Sequence, residues 1–510
     1  MSWPPCYTHR HLAIHSSLID QKPAMSQTFL FHDYETWGVD PRRDRPVQFA
    51  AIRTDADFNP IGRPIELFAQ LAPDYLPAPE ACLVTGITPQ IAQQKGLPEC
   101  EFMRKIQQHM SEPGTCSLGY NTIRFDDEVT RHSLYRNLLE PYGREWQNGN
   151  SRWDLIDLVR ATYALRPEGI EWPTNDEGNV SFKLELLTQA NGLAHENAHD
   201  ALSDVHATIA MAKLIKDKQP KLYQYFFDNR GKQAIEAMIN DAMTHPSGPQ
   251  PLMHISGRIS PAQGCCAWVM PVLQDSRQKT KFLMINLTMD ITPLLELDAA
   301  TIKERLYTPR QQLLEQGLQP IPLKWVQSNK CPVIAPAKTL RPEDAERIGI
   351  DRNACLERLK LLQQNWHPLL AKLTEWLELE RQGAAERPPA DADIALYDGF
   401  ISNPDKQQMD WLHQQQPEQL AGLDTLFDDP RLNTLLFRYK ARNYPSTLSD
   451  AEQQQWLQFC RQRIFEPDSD WLTLEQMMAR IQSLSESHAD DSRAIRILKQ
   501  CYDYAVQTYG

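Results

Sequence analysis

Three things are scarce in this chain of 510 residues. No apolar run approaches the roughly 20 residues that a membrane-spanning helix needs, so no membrane association is expected. The ten cysteines show no paired metal-ligand spacing, and only Cys265 and Cys266 are adjacent. Neither a zinc motif nor a disulfide framework follows, and a reducing cytoplasm is the expected location. Positive charge is also short, with 53 Lys and Arg against 66 Asp and Glu and a net charge of −13. An acidic chain repels a phosphate backbone at long range, so a nucleic-acid partner would need a local basic track. The opening MSWPPCYTHRHLAIHSSLIDQKPA has no apolar core of a secretory signal, and it precedes Met25, just ahead of the first strand. Residues 1–26 are therefore expected to be a disordered extension from an upstream start codon, without function.

What is present is a set of acids in a particular order. Phe29-Leu30-Phe31-His32-Asp33-Tyr34-Glu35 reads as a buried strand ending in two acids two residues apart. Side chains at i and i+2 leave a strand on the same face, so both carboxylates aim at one spot. An isolated Asp-x-Glu is most often an exposed strand end. A pair held close and buried instead needs a counter-charge, and hard cations such as Mg2+ accept carboxylate oxygens.

Two later segments complete the set. In Gly119-Tyr120-Asn121-Thr122-Ile123-Arg124-Phe125-Asp126-Asp127-Glu128 an apolar run and a turn lead into a helix, with Val129, Leu134 and Leu138 among its apolar positions. Asp126 at its start suits the helix dipole and, taken alone, reads as a cap. In Asn197-Ala198-His199-Asp200-Ala201-Leu202-Ser203-Asp204 another helix begins, with Asp204 in its first turns. His199, five residues earlier, belongs to the preceding loop rather than to the same helix face. The order Asp-x-Glu, Asp, His-x4-Asp supplies four acids and one imidazole. That is the equipment of a two-metal phosphodiesterase, in which paired ions stabilise the attacking and leaving oxygens and a histidine deprotonates water.

This set resembles the DEDD exonucleases of the histidine subtype, whose fold is α/β and ribonuclease-H-like (DnaQ-like). Longer segments are similar to bacterial exonuclease I: FLFHDYETWG at 29–38, GYNTIRFDDEVTR at 119–131, SRWDLIDLVRATYALRPEGI at 151–170, NAHDALSDVHATIAMAKL at 197–214, SNKCPVIAPAKTLRPEDAERIGI at 328–350 and LLFRYKARNYPSTL at 435–448. The resemblance covers nearly everything from Met25 onward. It implies a processive 3'-to-5' exonuclease on single-stranded DNA, releasing 5'-mononucleotides in DNA repair and recombination. It implies two Mg2+ ions, with Mn2+ a possible substitute, held by Asp33, Glu35, Asp126 and Asp204, and His199 as general base. Lys183 stands where the family often has Arg near the substrate phosphate, and Glu35 would also touch substrate. Trp37 replaces a more usual Phe, and its ring could stack on the terminal base.

Single strands are held without sequence preference by backbone cations and stacking rings. Matched to the family motifs, Arg131, Tyr142, Trp146, Arg160 and Lys232 are the expected DNA contacts, with Arg124 and the run Arg438-Tyr439-Lys440-Ala441-Arg442 as further candidates. The resemblance also implies docking of the acidic C-terminal tail of single-stranded DNA-binding protein, on Arg166, Tyr225 and Arg341. Pro336, where a Gln is usual, departs from that pattern. A monomer is expected.

The chain shows two seams. Strands and helices alternate over 27–220, as an α/β nuclease requires. Past Thr244-His245-Pro246-Ser247-Gly248-Pro249 come short β-rich runs whose spacing predicts a small barrel, which the family's SH3-like domain matches. A second seam falls at 381–389, beyond which the sequence is helical. The expected units are 27–220, 221–375 (SH3-like with flanking helices) and 376–510 (all-α). Two rival readings remain: an RNA-trimming exoribonuclease of the same fold, and a catalytically dead single-strand binding module.

Overall fold

The computed structural model describes residues 27–193, 200–382, 390–467 and 470–509. The expected N-terminal extension, most of the second seam and His199 lie outside the described residues.

The first unit is built on a five-stranded sheet of order β3-β2-β1-β4-β5. Its strands are β1 (Thr28–Thr36), β2 (Pro46–Thr54), β3 (Ile65–Phe68), β4 (Thr115–Gly119) and β5 (Ser151–Asp154). β1 runs antiparallel to β2 and parallel to β4, and β4 runs parallel to β5. The central strand β1 divides its residues by the pleat. Phe29 and Phe31 enter one buried cluster with Val205, Ile209 and Ala212 of the helix Ala201–Lys218. Leu30 and Tyr34 enter another with Phe102, Met103 and Ile106 on the opposite face. Period-2 alternation therefore puts Asp33 and Glu35 on the Phe29 and Phe31 face, toward the helix that carries Asp204.

A second sheet is wholly antiparallel, in the order β10-β6-β7-β8-β9. It comprises β6 (Leu252–Ile255), β7 (Cys266–Gln274), β8 (Lys281–Asn286), β9 (Leu323–Gln327) and β10 (Val333–Pro336). These are the short β-rich runs read from the sequence beyond Pro249. The two sheets share one core: Leu118 and Trp153 lie in the same cluster as Met253, Trp268, Ile285 and Trp376.

The last unit is helical, with Pro430–Asn443, Asp450–Phe465, Leu474–Ser487 and Ser492–Tyr509 among its helices. It packs onto the first unit through a cluster joining Trp37, Val47 and Leu76 to Ile464, Trp471, Ile497 and Leu498. Trp37 is 1% exposed within that cluster, so its ring cannot reach a base, and the expected stacking role is corrected to a packing one.

Candidate active site

The acid pair sits where β1 outruns its neighbour. Parallel pairing of β1 with β4 ends at Phe31 opposite Leu118, whereas pairing with β2 continues through Asp33 opposite Ala50 and Glu35 opposite Gln48. On the vacated side the Tyr34 N–H donates to Asp126 Oδ1 at 3.1 Å, which draws the start of the helix Asp126–Arg136 against the strand. Gly119 makes that approach possible, because a Cβ there would lie 2.4 Å from the His32 carbonyl oxygen. The loop beyond is pinned by Asp154, which accepts the N–H groups of Asn121 and Ile123 at 2.8 and 3.1 Å.

Ligand oxygens of Asp33, Glu35 and Asp204 all lie within 4.8 Å of one another. Asp126 stands beside this group and raises the pKa of both Asp33 and Glu35. Burial is the first cause in each case, followed by the neighbouring carboxylates; Glu35 is pushed up to about 8, and Asp33 well above the usual range. Burial likewise raises Asp126. Buried carboxylates in repulsive contact resist ionising together unless a cation is supplied. Such an oxygen-only donor set fits a hard divalent ion.

Asp200 is a further acid that the sequence reading did not single out. It caps the helix Ala201–Lys218 by accepting the Ser203 N–H, accepts from Gln48 Nε2 at 3.4 Å, and raises both Asp33 and Glu35. Its place next to His199 was the available signal.

Of the three consecutive acids at 126–128, only Asp126 faces the cluster. Asp127 is gripped by Arg144 at 2.8 Å and Arg152 at 2.7 Å, and Glu128 by Arg131 at 2.9 Å. A cavity of about 740 Å³ opens beside Glu35 and runs past Phe125 and Leu76 to Trp471 and Arg480 of the helical unit. Its size suits a nucleotide.

The expected DNA contacts are placed unequally. Trp146 is 67% exposed and Lys232 is exposed, 3.9 Å from Glu236. Lys183 is exposed, just ahead of the helix Leu184–Ala190. Arg160 binds Asp157 at 2.7 Å, and its guanidinium lies against Gly257 of the second unit. Arg131 is buried, with both sides of its fork on Glu145 at 2.7 and 2.8 Å and the Tyr142 ring 5.5 Å away. Its charge is neutralised within the protein. The run at 438–442 is likewise not a basic track. Arg438 pairs with Asp391 at 2.6 Å, Lys440 with Glu452 at 2.6 Å, and Arg442 with Asp74 at 2.7 Å and Asp393 at 2.6 Å.

Of the three expected tail-docking residues, Arg166 and Arg341 converge on the buried Asp344, at 3.6 and 2.5 Å, and Arg341 also holds Glu168 at 2.8 Å. Tyr225 is half-buried against the shared core, on the helix Pro220–Asp228.

A mixed sheet with this strand order, carrying clustered acids at the end of its central strand, defines a nuclease of the ribonuclease-H-like class. The family description "Exonuclease" matches residues 30–212, "Exonuclease I SH3-like domain" 230–378 and "Exonuclease I C-terminal domain" 390–508. The chain belongs to the exodeoxyribonuclease I family. It is 48% identical to exodeoxyribonuclease I of Haemophilus influenzae over 484 residues, which cover 95% of this chain and 99% of that one. The enzyme of the same name from Escherichia coli is 48% identical over 478 residues, covering 94% and 97%. The crystal structure of E. coli exonuclease I with a dA16 oligonucleotide superposes with a TM-score of 0.89 at 46% identity, covering 94% of this chain and all of that one (100%). A structure described as SSB/exonuclease I with the inhibitor CFAM superposes with a TM-score of 0.85 at 45% identity, covering 95% and 100%.

Proposed function

We propose that the protein is a processive 3'-to-5' exonuclease that hydrolyses single-stranded DNA to 5'-mononucleotides and serves DNA repair and recombination. The observation that carries the reading is the grouping of Asp33, Glu35 and Asp204 within 4.8 Å, with Asp126 alongside. These four acids would hold two Mg2+ ions, Mn2+ being an alternative, which when bound would offset charge on the attacking and leaving oxygens. Glu35, which lines the cavity beside the cluster, would also orient the terminal nucleotide. His199 takes the proton of the attacking water, and Lys183 faces the phosphate as a point charge rather than a fork. Trp146, Tyr142, Arg160 and Lys232 line the strand's path. For Arg131 the tight pairing with Glu145 favours holding that path in shape over binding phosphate directly.

The functional units are 27–220, 221–375 and 376–510, and the protein works as a cytoplasmic monomer. The acidic tail of single-stranded DNA-binding protein docks at Arg166, Tyr225 and Arg341. A tail carboxylate there would compete with Asp344 and Glu168 for the two guanidinium groups.

The test is digestion of a 5'-labelled single-stranded DNA with Mg2+ and with EDTA, beside duplex DNA and RNA. Metal-dependent shortening from the 3' end of the single DNA strand is expected. Tight binding without any mononucleotide would favour the binding-module alternative, and preference for RNA the exoribonuclease.

A further inference from the structure

The helix Ala201–Lys218 sets Asp204 beside Asp33 and Glu35 of β1, and acids that share an ion must be held to within about 0.5 Å. Apolar contacts press that helix onto the sheet: Ala201, Val205 and Ile209 join Phe31, Ala50 and Ile52 in one buried cluster. Such packing is non-directional, so by itself it fixes slide and rotation poorly. Direction comes from Gln48. It lies on β2 directly opposite Glu35, and the pleat puts it on the same face as Ala50 and Ile52. The residue is 2% exposed. Its amide nitrogen donates to Glu66 Oε1 of β3 at 2.9 Å and to Asp200 Oδ1 at 3.4 Å. Carboxylates only accept, so two of them flanking one amide require its nitrogen, not its oxygen, to face both. Asp200 accepts the Ser203 N–H on its other oxygen, Oδ2, at 3.2 Å, and its backbone carbonyl accepts the Asp204 N–H at 3.0 Å. A chain of hydrogen bonds thus runs from β3 through Gln48 and Asp200 to the turn that carries Asp204. Without the amide, Asp200 would meet the negative charge of Glu66 and Glu35 with no donor from the sheet between them.

We propose that Gln48 is a positioning residue for the metal-binding acids: it ties Asp200, and through it Asp204, to the strand opposite Glu35, and so sets the affinity for the divalent ion. This rests on the metal-dependent reading above. Gln48 acts through Asp200 rather than on the DNA or the ion. A neutral donor suits the position, because it bonds two carboxylates at once and adds no charge beside the cluster.

The experiment is calorimetric titration of the DNA-free protein with Mg2+, beside cleavage of single-stranded DNA at varied Mg2+. Gln48→Met keeps the length of the side chain but donates to neither carboxylate. It is expected to weaken Mg2+ binding about tenfold and to raise the Mg2+ needed for half-maximal cleavage by the same factor. KM for the strand at saturating Mg2+ should stay that of the parent. In an Asp200→Ser background, where serine still caps the helix but does not reach Gln48, Gln48→Met should cause no further loss. A general loosening of the sheet would persist in that background. Unchanged Mg2+ affinity in Gln48→Met, or the same tenfold loss in the Asp200→Ser background, would overturn the role. Should Gln48→Met not fold, Gln48→Asn keeps an amide that is one methylene too short to span both acids, and parent-like affinity in that variant would overturn it equally. Parent protein that binds Mg2+ yet releases no mononucleotide would remove the exonuclease reading alone, because the Mg2+ titration still decides what Gln48 does.

Discussion

The Tyr397 hydroxyl donates to Glu128 Oε2 at 2.6 Å and accepts from Arg131 Nη1 at 3.2 Å. One phenol from the helical unit thus closes a network on the helix that begins at Asp126. Lys330 of the SH3-like unit reaches the same carboxylate at 3.4 Å, so all three units meet at Glu128. Tyr397→Phe leaves a buried charge short of one donor, which costs about 1.5–3 kcal/mol. A lower melting temperature with unchanged cleavage of a very short oligonucleotide, but shorter runs on long strands, is the expected result. Equal run lengths would show that this junction does not hold the units around the strand.

The acid cluster predicts that chemistry and stability pull in opposite directions. Glu35 has its pKa raised from 4.5 to about 8, so the folded protein holds this proton more tightly than the unfolded chain does. Stability is therefore greatest below pH 4.5 as far as this group is concerned, and declines as pH rises toward 8. At pH 8 in EDTA, Glu35→Gln should melt higher than the parent, by about 1 °C for each kcal/mol of repulsion relieved. The same variant should lose more activity than the roughly 10–100-fold typical of changes just outside a metal's ligands. A lower melting point in Glu35→Gln would mean the carboxylate is stabilised by something other than a bound cation.

Metal addition should show the same linkage from the other side. Mg2+ binds ionised carboxylates, so it competes with the protons that Asp33 and Glu35 retain. Saturating Mg2+ should raise the melting temperature more at pH 8 than at pH 5.5, measured by calorimetry with EDTA as reference. An equal rise at both values would place the stabilising ion elsewhere. His199→Ala, by contrast, should leave this response intact and slow cleavage by about a hundredfold or more.

Asp33 and Glu35 were legible because strand periodicity alone puts residues two apart on one face. The β strands of the second sheet were legible too, as short apolar runs between turns. The choice of Asp126 over Asp127 and Glu128 rested on family resemblance rather than on periodicity, since only tertiary packing brings Arg144 and Arg152 onto Asp127. The same blindness misread Trp37 and the run at 438–442. Their partners lie hundreds of residues away, Trp471 for the one and Asp74 for the other. A sequence displays a charge or a ring but not what it is folded against.

That contrast yields a prediction for Arg442. It and Arg463 share Asp74 and Asp393, all four nearly inaccessible to solvent. The arginines hold both carboxyl groups well below their usual range, against the opposing effect of burial. Arg442→Met strands buried charge, at a cost of about 3–5 kcal/mol. If the run at 438–442 tracked DNA, the variant would flatten the salt dependence of binding. With the pairing seen here it should instead lower the melting temperature and leave the salt slope alone.

Trp146 should behave in the opposite way. At 67% exposure its ring contributes little to the core, so truncation should move stability by no more than about 0.5 kcal/mol. An exposed indole between two short turns, Gly143–Glu145 and Gln147–Gly149, is nevertheless a stacking surface held at a fixed place. Stacking of a base on an aromatic ring is worth about 1–3 kcal/mol, so Trp146→Ala should weaken single-strand binding by about five- to 150-fold. Because stacking carries no charge, the salt slope should stay that of the parent while affinity drops at every salt concentration. Quenching of Trp146 fluorescence by added oligonucleotide reports the contact directly. A variant that binds as tightly as the parent would leave Trp146 outside the strand's path.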